Sequence, residues 1–226
     1  SIARALAEGV RGSTHGRLCA VGSRTDEKAE AFGEEFDIPK RYGSYQAVLE
    51  DPEVDAVYVA TPHPMHAEWS IRAAEAGKHV LCEKPAGLHH GEVYRMIEAA
   101  RANRVAFMEA FMYRCHPQIS RVVQLVREGA IGEVKAVDAK FGFRGGNDPA
   151  GRLLNPHLGG GGILDVGCYP VSMSRLIAGA ALDLPFAEPS EVKAAGHLGE
   201  TGVDDYAVAT LRFPGDIVAQ VSTAIR

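Results

Sequence analysis

The chain has 226 residues, 46% hydrophobic and 23% charged, with a formal net charge of −5, which is room for one large domain or two ordinary ones at an ordinary globular balance. The acidic balance and the lack of a basic run exclude nucleic acid as the main partner, because phosphate binding needs a concentrated Lys/Arg face. No stretch approaches the ~20 uninterrupted apolar residues of a membrane span, and the four cysteines (Cys19, Cys82, Cys115, Cys168) form no C-x-x-C pair, which predicts free thiols in the cytoplasm.

"SIARALAEG" (1–9) has helical spacing at Ile2, Ala5 and Leu6 and reads as a helix rather than a charged-then-apolar leader. Its first residue is not Met, so the natural N-terminus is expected to lie upstream. "RLCAV" (17–21) is a short apolar strand closed by Gly22-Ser23-Arg24, and "DEKAEAFGEEF" (26–36) is a helix. "DAVYVA" (55–60) is a continuous β-branched run, as for a strand buried on both faces, and stops at Thr61-Pro62. A helix over 65–77 with Gly77 as its cap, a strand "HVLCE", a helix over 91–103 and a strand "VAFMEAF" (105–111) follow. Strands separated by helices of about a dozen residues predict βαβ units and a parallel sheet.

Past Tyr113 the rhythm changes. A helix over 117–129 leads to "EVKAVDAKFGFR" (133–144), which alternates like a strand with one wet face. A Gly/Pro/Asn-rich loop (145–162), a mostly helical stretch (163–179) and three antiparallel strands with tight turns such as Pro214-Gly215 complete the chain. The expected architecture is α/β: a Rossmann-type parallel sheet over 1–113, followed over 114–226 by an α+β domain with an open, mainly antiparallel sheet.

Parallel sheets bind ligands at the carboxyl ends of their strands, and three strands here end in unusual residues. The first ends Ser23-Arg24, with Lys28 one turn on, where a dinucleotide fold normally carries an acidic residue for the ribose 2′-OH. An arginine there suits a 2′-phosphate, or is simply a surface side chain. The next ends "ATPHPMH". His63-x-x-His66 has the spacing of a metal pair, but Pro64 splits it and no third ligand is near, so no metal is expected. His66 is either a cofactor or substrate contact or a structural histidine. The third ends Glu83-Lys84-Pro85. Charges directly after a buried run need a reason, and X-Pro is the one peptide bond that is readily cis, a fixed sharp turn that would aim Lys84 into a cleft. In "GGGGILDVGCYP" (159–170), Asp165 and Tyr169 share one face if the segment is helical, and Pro170 places Tyr169 near a helix start.

These motifs, "ATPHPMH", "AGKHVLCEKP", "MEAFMYRCHPQ" and "GGGGILDVGCYPV", resemble the glucose-fructose oxidoreductase / inositol dehydrogenase / MocA-like family over essentially the whole chain. Tyr rather than His at 169, with "EAFMYR", is similar to its glucose-fructose oxidoreductase, xylose dehydrogenase and dimeric dihydrodiol dehydrogenase branch. The resemblance implies a dinucleotide-binding domain (1–113), then a substrate-binding and oligomerisation domain (114–226). It implies NADP as cofactor, with NAD possible, at Ser23, Arg24, Lys28, Thr61, Pro62, His66, Glu83, Lys84 and Pro85. It implies a carbohydrate-like substrate at Lys84, Arg144, Asp165 and Tyr169, specificity from loop 145–158, and a homodimer or homotetramer. Lys84, Tyr169 and Asp165 become the catalytic candidates: Tyr169 as acid/base, Lys84 lowering its pKa, Asp165 orienting a hydroxyl or Lys84. Glu83 could instead be a partner that fixes the turn. The family's G-x-G-x-x-G loop does not occur, and the family chain runs roughly 100 residues further on its usual domain sizes, so a partial chain is expected. The alternatives are a catalytically silent NADP/sugar-binding sensor and a keto-sugar reductase of secondary metabolism.

Overall fold

The computed structural model describes residues 2–226. They divide into two compact units, one comprising the chain up to Thr61 with Met65–Ala110, the other Pro62–Pro64 with Phe111–Arg226.

In the first unit, β1 (Ala20–Gly22) pairs with β2 (Lys40–Tyr42), and β3 (Ala56–Val59), β4 (His79–Cys82) and β5 (Phe107–Glu109) pair in that order, every pair parallel. The connecting helices are α1 (Ile2–Arg11), α2 (Asp26–Phe36), α3 (Tyr45–Glu50), α4 (His66–Glu75) and α5 (His90–Ala102). The expected alternation is present and its helices have chemical ends. The Thr25 side chain caps α2 by accepting from Lys28 N–H, and Gly77 leaves α4 with φ +75°. Val59, Val80 and Cys82 pack with Ala67, Ala73 and Met96 of α4 and α5, a core that holds the strands' carboxyl ends in place. Cys82 is a small apolar side chain here. Burial pushes its thiol up to about 12, so at neutral pH it is no nucleophile.

One expected strand is shorter than foreseen, and two elements were missed. The strand foreseen over 17–21 is regular only at Ala20–Gly22. Strand β2 and helix α3 were not foreseen at all, because "KRY" has no apolar run. Lys40 and Tyr42 both reach the buried Asp51 carboxylate, at 2.9 and 3.1 Å, so a tertiary ion pair rather than hydrophobic patterning fixes this strand.

The second unit contains α6 (Pro117–Arg127), β6 (Ala136–Gly142), a 3-10 turn (Pro156–Leu158), α7 (Cys168–Ala181) and strands β7 (Glu191–Leu198), β8 (Asp204–Phe213) and β9 (Ile217–Ala224). The sheet order is β6-β9-β8-β7. The last three strands run antiparallel, with Gly215 (φ +74°) in the β8–β9 turn, and β6 joins parallel to β9. One face packs on α7: Leu211, Phe213, Ala219 and Val221 bury against Ala178 and Val171. The opposite face carries Tyr206 and Val208, each about half exposed. The helix foreseen from 163 does not start as an α-helix. Ile163–Gly167 is a π turn, and α7 follows it directly.

Candidate functional site

At the carboxyl edge of β3-β4-β5, the turn 83–86 is held from three sides. The Lys84-Pro85 bond is cis. From β3, Tyr58 donates its hydroxyl to Glu83 Oε1 at 2.5 Å, and burial, then the Glu83 carboxylate, raise the phenol above its ordinary value so that it stays a donor. From β5, Glu109 Oε1 accepts the Ala86 N–H at 2.8 Å. From the start of α4, the fully buried His66 ring sets Nδ1 2.8 Å from the Pro85 carbonyl oxygen and Nε2 2.8 Å from that of Thr61. Strand ends, helix start and turn are thus one hydrogen-bonded assembly around Lys84. Tyr58→Phe removes one charge-assisted bond, for which about 1.5–3 kcal/mol of stability is expected to go. The urea midpoint should fall with the slope unchanged, and an unmoved midpoint would show that the bond contributes nothing.

The cofactor positions foreseen on this unit have chemistry that fits a dinucleotide. Ser23 is half-buried past β1, with Arg24 and Lys28 exposed beside the N-terminus of α2: one hydroxyl and two cations, a donor set for a phosphate monoester. Thr61 Oγ1 is buried at the end of β3 with no hydrogen-bond partner among the described residues. A polar atom left so at a ligand edge is what a bound molecule would satisfy. Pro62 is exposed. The two spaced histidines go to different partners, since His63 Nδ1 lies 3.0 Å from the Gly159 carbonyl oxygen within the second unit. Among the described residues no group of three His, Cys, Asp or Glu side chains is placed for a metal ion.

In the second unit Tyr169 stands in the first turn of α7 within an aromatic cage. Phe111 and Phe141 meet it edge-on at ring-centroid distances of 5.4 and 5.3 Å, and Tyr113 lies at 6.0 Å. Tyr113 is itself fixed by a 2.8 Å bond to Ser172 Oγ. "EAFMYR" therefore supplies two walls of the cage, which orients the phenol ring. Asp165 is buried in the π turn and pairs with Arg152 Nη1 at 2.5 Å. The arginine at this carboxylate is thus Arg152, while Arg144 is exposed past the end of β6. His157 is exposed in the 3-10 turn, and His116 Nδ1 caps α6 by accepting from Gln118 N–H at 3.1 Å.

Residues 2–111 match the model of an oxidoreductase family with an NAD-binding Rossmann fold, and residues 119–226 match the Gfo/Idh/MocA C-terminal domain. The chain belongs to the Gfo/Idh/MocA family. The trans-1,2-dihydrobenzene-1,2-diol dehydrogenase of Mus musculus is 37% identical over 94% of this chain and 62% of its own length. The chain spans about three fifths of the length of the curated relatives it matches. Among solved structures, aldose-aldose oxidoreductase from Caulobacter crescentus, complexed with glycerol, superposes with a TM-score of 0.87 at 33% identity, over 98% of this chain and 67% of that one. The 3-ketoreductase KijD10 from Actinomadura kijaniata, with TDP-benzene and NADP, matches at 30% identity over 97% of this chain. Variants with one tyrosine replaced by phenylalanine or one lysine by alanine give TM-scores of 0.83 and 0.79 and are covered to 65% and 64%.

Against this Gfo/Idh/MocA background, sequence reasoning missed Tyr58, Glu109 and Arg152. The first two stand at strand ends on the ligand edge, where a polar residue closing an apolar run is a readable signal. Arg152 lies in an irregular loop, and no local pattern marks its partner.

Proposed function

We propose that this chain is part of an NADP-preferring dehydrogenase or reductase acting on a CH–OH group of a sugar, cyclic polyol or dihydrodiol, with Lys84 and Tyr169 as its catalytic pair. The observation that carries the reading is the turn 83–86, held by Tyr58, Glu109 and His66 so that a lysine stands fixed at the sheet's ligand edge. A nicotinamide dinucleotide bound along that edge supplies the hydride acceptor or donor. Ser23, Arg24 and Lys28 are the residues that would hold its 2′-phosphate, Thr61, Pro62 and Glu83 would line its path, and His66 and Pro85, buried behind them, would shape that wall rather than touch the cofactor. Tyr169 takes the proton from the substrate hydroxyl during oxidation and returns it during reduction. An unperturbed phenol, with a pKa of ~10, is a poor base near neutrality. The Lys84 ammonium favours the phenolate and donates to the same substrate oxygen. Asp165, held by Arg152, orients a neighbouring hydroxyl, and Arg144 extends the substrate subsite. The lysine and the tyrosine replaced in the 3-ketoreductase variants are 84 positions apart in that chain; Lys84 and Tyr169 are 85 apart.

The test is a panel of sugars, cyclic polyols and dihydrodiols, assayed through NADPH absorbance with the full-length protein. Turnover of at least one class supports an enzyme, and binding of NADP and sugar with no turnover anywhere would establish the sensor instead. The named 3-ketoreductase favours one second reading, a keto-sugar reductase, in which the same residues run in the other direction.

Assembly follows from the sheet's uncovered face. Tyr206 and Val208 are followed there by Thr210 and Arg212, all exposed, a mixed apolar and polar surface of the kind that packs against a second copy. A homodimer, or a homotetramer built from it, is expected by light scattering at micromolar concentration, and a monomer would contradict this.

A further inference from the structure

The run Gly159–Gly162 remains to be explained, and its explanation lies on strand β8. Gly161 has φ +113°, and a Cβ on it would collide with Asp204 Oδ1; one on Gly162 would lie 3.2 Å from Asp204 Oδ2. Asp204 therefore occupies the space that side chains would fill, and it is bonded there. Ile163 donates its N–H to Asp204 Oδ2 at 2.7 Å. Burial raises the Asp204 carboxyl above the ordinary Asp range, against the lowering pull of the backbone N–H groups around it. The other side of the turn is held from β9: Thr223 donates its hydroxyl to the Gly162 carbonyl at 3.1 Å, and its methyl would lie 3.1 Å from a Cβ at Gly167. Between these two clamps Asp165 N–H closes the turn onto Gly161 O at 3.0 Å, and α7 begins at Cys168.

We propose that Asp204 is a positioning residue for Tyr169: from the start of β8 its carboxylate fixes, with Thr223, the π turn that carries Asp165 and sets where Tyr169 leaves it. The physics is that of a helical start, whose orphan N–H groups seek an acceptor and favour a negative one. Here the acceptor is a side chain of the sheet, so the turn is referenced to the rigid element beneath it. π turns interrupt regular helices and are frequent at functional sites. This one lies directly before the phenol, where a displacement of about 1 Å can cost ~10²-fold in rate. The inference rests on the reading of Tyr169 as proton carrier and adds to it the group that places the carrier.

The experiment is a double-mutant cycle in the full-length protein. Asp204→Ala is expected to lower kcat by roughly 10- to 10²-fold while the KM for NADP stays within about threefold, because the cofactor residues lie on the other unit. Thr223→Val should do the same more weakly, and Asp204→Asn, which keeps an accepting oxygen, should recover part of the loss. On a Tyr169→Phe background Asp204→Ala should cost little more, since residues acting through one group are non-additive. Unchanged kcat in Asp204→Ala, or an equal further loss on the Tyr169→Phe background, would overturn the inference. If Asp204→Ala fails to give native circular dichroism, Asp204→Asn and Thr223→Val complete the cycle. Should Tyr169→Phe with Asp204 intact turn over normally, the reading of Tyr169 itself fails, and that arm shows it separately.

Discussion

Tyr169→Phe is expected to bind substrate and cofactor normally and to lose roughly 10² to 10⁴ in turnover, the usual worth of general acid–base catalysis. The substitution keeps the ring, and with it the edge-on contacts to Phe111 and Phe141, so packing and fold survive and only the hydroxyl goes. Lys84→Ala should also cost turnover, and the double variant little more than the worse single one, because a proton carrier and the cation that tunes it act as a unit. The sign of the pH dependence follows. Oxidation needs the phenolate, so the wild-type rate rises as pH rises through the apparent pKa of the pair, and reduction shows the opposite limb. Tyr169→Phe should abolish that limb. Near-normal turnover with an unchanged profile would make Tyr169 structural and move the proton to His157, His116 or Asp165. The surroundings of these three are unequal. His116 Nδ1 accepts from Gln118 N–H as a helix cap, Asp165 is buried against Arg152, and His157 is exposed, so His157 would be examined first.

Which parts were legible depends on whether the responsible physics is local. The parallel strands were readable because their runs are continuously apolar and the carboxyl end of each is marked by whatever polar residue stops it, although the burial foreseen on both faces is reached only toward those ends, at Val59, Val80 and Cys82. Hence Thr61 and Glu83-Lys84-Pro85 stood out, and so did the alternating β8 and β9. Strand β2 was not readable, because Lys40 and Tyr42 are placed by Asp51 eleven and nine residues away. The π turn was hidden for a similar reason. "ILDVG" runs without a break into the helical stretch foreseen up to Gly179, and the contacts that hold it in a π turn, from Asp204 and Thr223, lie 41 and 61 positions further along. Glycines could be counted in the sequence, but the carboxylate occupying the space above them could not. Tyr58, Glu109 and Arg152 belong to the same class: each is an ordinary residue of its own element whose meaning is its partner.

Arg24→Ala should weaken NADP by roughly 10- to 10²-fold and leave NAD within about threefold. The residue follows β1 beside the N-cap of α2, exposed, with Lys28 one turn on, and it stands where an acidic side chain would select the ribose hydroxyl instead. A guanidinium on a phosphate makes paired, charge-assisted bonds; solvent screening at this exposed position holds their total to about the 1.5–3 kcal/mol of one hydrogen bond to a charged group, and 1.4 kcal/mol is tenfold in a dissociation constant. NAD lacks the phosphate and has nothing to lose there. Lys28→Ala should show the same selectivity with a smaller ratio, because an ammonium lacks the fork geometry of a guanidinium. Both effects act between exposed charges, so the NADP-to-NAD preference of the wild type should shrink as ionic strength rises, as screening requires. Titrating each cofactor against wild type and variant by fluorescence, at low and high salt, reads all of this directly. An equal loss for NADP and NAD in Arg24→Ala would place Arg24 outside the phosphate site, and the preference for NADP would then have only Ser23 and Lys28 to rest on.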